Sequence, residues 1–137
     1  MGAWGAGSFD NDDALDWVGD LCDGDGFEPV HEALGAVALD AEEDVEAPEC
    51  SVALAAAEAV AALGGAPSED LPDELEQWLA DHPLEVGADL RAKALAAVQH
   101  VKSNSELKEL WDESDSAEDW YAATSDLEAR LQRARTS

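Results

Sequence analysis

The sequence predicts an all-α fold: a single compact domain over residues 1–137, about seven helices, with an N-terminal Trp/Gly segment packed on the bundle. Three observations point there. Alanine occurs twenty-seven times and leucine sixteen, and both are strong helix formers. Isoleucine is absent and valine and threonine are few, so the β-branched residues that suit a pleated surface are scarce. Apolar residues recur at helical spacing in about seven segments, and no alternating strand pattern competes with them. A chain of 137 residues can bury roughly two thirds of its unfolded surface without staples.

The first helix runs from about Asp12 to Cys22, with Ala14, Trp17, Val18 and Leu21 on one face. Asn11 or Asp12 is its candidate N-cap, Asp13 and Asp16 suit the positive end of the dipole, and Asp23-Gly24-Asp25-Gly26 ends it. Pro29, tolerated in a first turn, opens a second helix that turns Val30, Leu34, Val37 and Ala38 inward. Pro48 opens a third, which runs to Leu63 and closes at Gly64-Gly65. Alanines lie on nearly every side of that helix, which predicts a central position with neighbours packed close. The fourth, Pro72 to Asp81, directs Leu75, Trp78 and Leu79 inward and stops at His82-Pro83. The fifth spans about Val86 to Lys102 and carries Leu90, Ala94, Ala97 and Val101. Ser103 and Glu106 have the spacing of a capping box for a sixth helix with Leu107, Leu110 and Trp111. Ser116 and Asp119 repeat that spacing before a seventh, whose face is Trp120, Thr124, Leu127 and Leu131. Arg130, Arg133 and Arg135 fall at its C-terminal end, where cations are favourable.

Two stretches stand out as motifs. The opening Met1-Gly2-Ala3-Trp4-Gly5-Ala6-Gly7-Ser8-Phe9-Asp10-Asn11-Asp12-Asp13-Ala14-Leu15-Asp16-Trp17 alternates glycines with aromatics and runs straight into a carboxylate-rich helix start. The second is Asn104-Ser105-Glu106-Leu107-Lys108-Glu109-Leu110-Trp111-Asp112-Glu113-Ser114, with Trp120 soon after. Together they resemble the bacterial and archaeal family called domain of unknown function 4259, and the resemblance spans both ends of the chain. It implies no activity. Its motif residues Trp4, Gly5, Gly7, Phe9, Asp10, Asn11, Asp12, Trp17, Trp111 and Trp120 read as structural: Trp4 and Phe9 plug into the helical core, and the glycines let the backbone pass close to it.

Charge is the functional lead. Thirty-three acidic against seven basic residues give a net −26. Twenty-four of the acids precede Arg91, and no Lys or Arg does. Spread over about 6,900 Å² of surface, the carboxylates lie about 14 Å apart, beyond the Debye length of about 8 Å at physiological salt. Ordinary salt therefore permits folding. Asp40, Glu42, Glu43, Asp44, Glu46 and Glu49 crowd six acids into ten residues, which predicts an extended loop at low salt.

Several chemistries are disfavoured. Neither nucleotide-loop pattern is present, and Asp10, Asp12 and Asp13 would repel a phosphate at the first helix start. An EF-hand alignment on Gly26 places Asp23, Asp25 and Glu32 in register but puts Leu21 at the first ligand position. Cys22, Cys50, His31, His82 and His100 share no zinc spacing. A Cys22 nucleophile with His31 or His100 is opposed by the helix C-terminus and the surrounding acids, which raise a thiol pKa. Clustered cations for nucleic acid are lacking, and the longest apolar run, Val52 to Ala66, contains Glu58 and is too short for a bilayer. The myristoylation pattern fails at Ala6, no secretory leader is evident, and two free thiols in a reducing cytoplasm is the expectation.

The expected function is a non-enzymatic interaction protein that steers a basic protein partner to its acidic side, immunity proteins being one concrete form. No cofactor, metal, nucleic-acid or membrane role is expected, and Asp40, Glu42, Glu43, Asp44, Glu46 and Glu49 are the candidate partner contacts. Two alternatives stand beside it: an acidic surface serving only halophilic solubility, and a small hydrolase or divalent-metal binder. The five tryptophans read as core anchors.

Overall fold

The computed structural model describes residues 9, 11–24, 26–38, 47–68, 71–82, 87–103 and 106–134. They form α1 (Asp12–Cys22), α2 (Glu28–Ala38), α3 (Ala47–Leu63), α4 (Asp73–Asp81), α5 (Ala88–Ser103), α6 (Glu106–Asp112) and α7 (Ala117–Arg133), with no strand among the described residues. The all-α class read from alanine, leucine and helical periodicity is the class observed.

α3 is the axis, and it packs against each of the other six helices. Ala53, Ala55, Ala56, Ala57, Ala59 and Ala61 are all essentially inaccessible, and they point to different sides. A helix whose side chains are mostly alanine lets neighbours approach closely on several sides, which is why the predicted central helix can be surrounded. Its C-terminus is a Schellman motif: Gly65 takes φ +89°, its amide donates to the Ala62 carbonyl at 3.1 Å, and the Ala66 amide donates to Ala61 at 2.8 Å.

The inward faces follow the periodicity. Ala14, Trp17, Val18 and Leu21 of α1 are buried, as are Leu75, Trp78 and Leu79 of α4. α5 buries Ala94, Ala97, Val98 and Val101, while Leu90 is only half-buried. Asn11 is the α1 N-cap, its Oδ1 accepting from the Ala14 amide at 2.8 Å.

Neither proposed capping box forms. Ser103 belongs to the last turn of α5, where its hydroxyl donates back to the Gln99 carbonyl at 2.8 Å. Ser116 does occupy the N-cap position of α7, but its side chain makes no capping bond.

One polar group was placed wrongly by the expectation that carboxylates go to solvent. Glu58 is 3% exposed, in the middle of α3. Arg130 of α7 meets it with two nitrogens, Nη1 at 2.6 Å from Oε1 and Nη2 at 3.2 Å from Oε2. Arg130 Nε also donates to Asp126 at 2.7 Å, and Nη1 reaches the Ala66 carbonyl at 3.4 Å. Arg130 is thus a buried counterion rather than a dipole-stabilising surface cation.

Candidate functional site: an acidic helix pair

α1 and α4 pack against each other and against α3, and every acid they carry is exposed. On α1 and its C-cap, Asp12, Asp13, Asp16, Asp20 and Asp23 are exposed. Their spacing makes Asp12–Asp16 and Asp16–Asp20 like-charge neighbours one turn apart, each costing about 0.2–0.5 kcal/mol at low salt. α4 adds exposed Asp73, Glu74, Glu76 and Asp81. No ion pair reaches any of these nine among the described residues. Glu28 and Glu32 are also exposed, on α2, which packs on α3 and α5 instead.

The pair is joined by aromatic and neutral contacts. Trp78 Nε1 donates to the Gly24 carbonyl at 3.1 Å, just beyond α1, and Phe27 meets the Trp78 ring edge-on at 5.1 Å. The His82 ring stacks on Trp78 at 4.3 Å, and its Nδ1 donates to the Trp78 carbonyl at 3.0 Å. His82 therefore ends α4, as its place before Pro83 suggested. Cys22 Sγ lies 3.7 Å from the Glu74 carbonyl oxygen. Burial raises the Cys22 pKa, and Glu74 and Asp23 raise it further, so the thiol is a poor nucleophile.

The described Lys and Arg residues all lie on α5, α6 and α7. Lys102 of α5 pairs with Glu128 of α7, and its Nζ also meets Ser125 at 3.0 Å. Arg91 of α5 reaches the Ala134 carbonyl after α7 at 3.4 Å. Lys108 donates to Asp112 at 2.8 Å, which together with the Tyr121 hydroxyl at 2.7 Å holds the Asp112 carboxyl below its usual pKa. Above this cluster the Trp111 and Trp120 rings lie nearly parallel, 9° apart in plane with centroids separated by 6.5 Å.

The family described as Domain of unknown function (DUF4259) matches residues 2–123, from the glycine after the initial Met into the middle of α7. This chain belongs to the DUF4259 family. No curated protein and no solved structure matches it.

In this DUF4259 member the motif residues fall into two groups. Phe9, Trp17 and Trp120 are buried, Trp111 is half-buried, Asn11 caps α1, and Asp12 is an exposed first-turn residue. Trp4, Gly5, Gly7 and Asp10 lie outside the described residues. So do Asp40, Glu42, Glu43, Asp44 and Glu46 of the candidate partner-binding segment, leaving only Glu49, exposed in the first turn of α3. Sequence reading singled out that segment and passed over the α1–α4 pair, whose acids are spread through two helices 50 residues apart in the chain and meet only in space. The signal was present as the i, i+4, i+8 recurrence of Asp12, Asp16 and Asp20. No helix of the described residues is long and apolar enough to cross a membrane.

Proposed function

We propose that this DUF4259 protein is a non-enzymatic interaction protein whose acidic side, centred on α1 and α4, engages a basic protein partner. One observation carries the reading: α1 and α4 with their caps hold nine exposed carboxylates and no Lys or Arg, and none of the nine has an ion-pair partner among the described residues, whereas Lys102, Lys108 and Arg130 stand among the acids of α5 to α7 and are engaged by them. An external cation therefore meets this side without competing against an internal one. Long-range attraction speeds such encounters at low salt and fades as ionic strength rises. Neutralising a basic toxin or nuclease is the concrete form this chemistry suits.

The test is affinity capture from the native lysate in about 0.05 M and about 1 M KCl, concentrations chosen to span the screening range. Wild type is compared with a triple variant, Asp16→Asn, Asp20→Asn and Glu76→Gln. A basic protein retained by wild type at low salt, and lost by the variant or at high salt, supports the proposal. Capture of nothing in either salt overturns it. The competing halophilic reading draws on the acids of α2 as well, since solubility needs no single face. It expects stability to keep rising towards molar KCl with no partner retained.

A further inference from the structure

We propose that α1 and α4 form a salt-dependent unit, which loosens from α3 as ionic strength falls while α3, α5 and α7 stay packed. The proposal does not depend on a partner and holds under either reading of the acidic surface.

The packing sets the unit apart. α4 makes substantial contact with α1 and α3 alone, and α1 with α3 and α4 alone, whereas α2 is wedged against both α3 and α5. Among the described helices, an opening that spreads α1 and α4 therefore breaks only their mutual contact and their contacts with α3. The polar ties differ in the same direction. α7 is fixed to α3 by the Glu58–Arg130 pair and to α5 by Lys102–Glu128, so charge attraction holds that side. Between α1 and α4 the described polar ties are the neutral Trp78–Gly24 bond and the long Cys22–Glu74 contact.

Charge then acts with opposite sign on the two sides. The nine carboxylates repel one another across α1 and α4, and nothing of opposite sign among the described residues offsets them. At about 0.01 M salt the Debye length is about 30 Å, so every carboxylate of one helix is felt by all those of the other. At about 0.15 M it is about 8 Å, and only near neighbours count. The apolar packing of Trp17, Leu21, Leu75 and Trp78 is insensitive to this change. Lowering salt thus raises the free energy of the docked unit without touching what docks it, and local opening spreads the charges apart.

Hydrogen exchange followed by mass spectrometry on the full chain tests this, at about 0.01, 0.15 and 1 M NaCl, the range over which screening changes most. From 0.15 to 0.01 M, protection over Trp17–Leu21 and Leu75–Leu79 should fall about tenfold or more, and over Ala94–Val101 and Leu127–Leu131 less than about threefold. The Asp16→Asn, Asp20→Asn, Glu76→Gln variant should keep its α1 and α4 protection at the lowest salt. A control with Glu118→Gln and Asp119→Asn on α7 should behave as wild type. Equal loss in all helices, no salt response, or an unchanged response in the triple variant each overturns the proposal. None of these outcomes bears on whether a basic partner is captured.

Discussion

Arg130→Met is the most informative single substitution. It leaves Glu58 inside the bundle, where the carboxylate side chain is 4% exposed, with its two guanidinium contacts gone. Breaking a buried pair by removing one partner costs about 3–5 kcal/mol, because the remaining charge has neither water nor counterion. The loss of the Asp126 contact adds little, since that carboxylate is 65% exposed and returns to solvent. An unfolding entropy of about 2.1 cal/mol/K per residue gives roughly 290 cal/mol/K for this chain, so each kcal/mol moves Tm by about 3.5 °C. The single variant should therefore melt about 10–17 °C lower. The double variant Glu58→Leu, Arg130→Met removes both charges and fills similar volume, so it should recover most of that loss. Thermal and urea unfolding followed by far-ultraviolet circular dichroism read both. A single variant within about 1 kcal/mol of wild type would show that Glu58 is not desolvated. A double variant no better than the single would show that packing around the pair, not its charge, holds α7 to α3.

The remaining predictions follow the same logic. Gly65→Ala should destabilise by about 1–2 kcal/mol through backbone strain at φ +89° alone, since a Cβ there meets nothing within 4 Å; a neutral denaturation midpoint would contradict the Schellman assignment. Ala57→Leu on α3 should cost about 1–3 kcal/mol by overpacking, visible as a lower urea midpoint, and a stabilised variant would mean that the axis is loosely surrounded. The Cys22 pKa is raised in the folded chain, first by burial and then by Glu74 and Asp23, so its stabilising contribution is complete below the unfolded thiol pKa and is lost as pH rises through the folded one. Stability should consequently fall more steeply above the ordinary thiol range in wild type than in Cys22→Ser. Parallel slopes in urea titrations at neutral and alkaline pH would remove the thiol from the explanation.

The helices were legible because what specifies them is local. Trp17, Val18 and Leu21 on α1, or Leu75, Trp78 and Leu79 on α4, fall one turn apart, and one turn is all that amphipathic burial requires. The alanines of α3 announced a surrounded helix by the same rule. Glu58 and Arg130 lie 72 residues apart, and nothing within one turn of either identifies the other. The clue was indirect: a carboxylate flanked by alanines in a buried helix needs a cation, and Arg130 lies beside Leu127 and Leu131 on the inward face of α7. The capping boxes misled because Ser103 satisfies its hydroxyl within α5, an option that the spacing to Glu106 does not reveal. The α1–α4 acidic pair was hidden for the reason that hid the ion pair, since two helices distant in sequence were brought together by a third.

The two thiols, neither in a disulfide, sit at different depths of the same molecule. Cys22 is half-buried at the rim of α1, while Cys50, near the start of α3, has no accessible surface. An alkylating reagent can sample the first from the folded chain, but it reaches the second only when the axis itself is uncovered. The protein thereby carries an internal clock: the lag between the two modifications measures how often the packing over the start of α3 opens, with no label added.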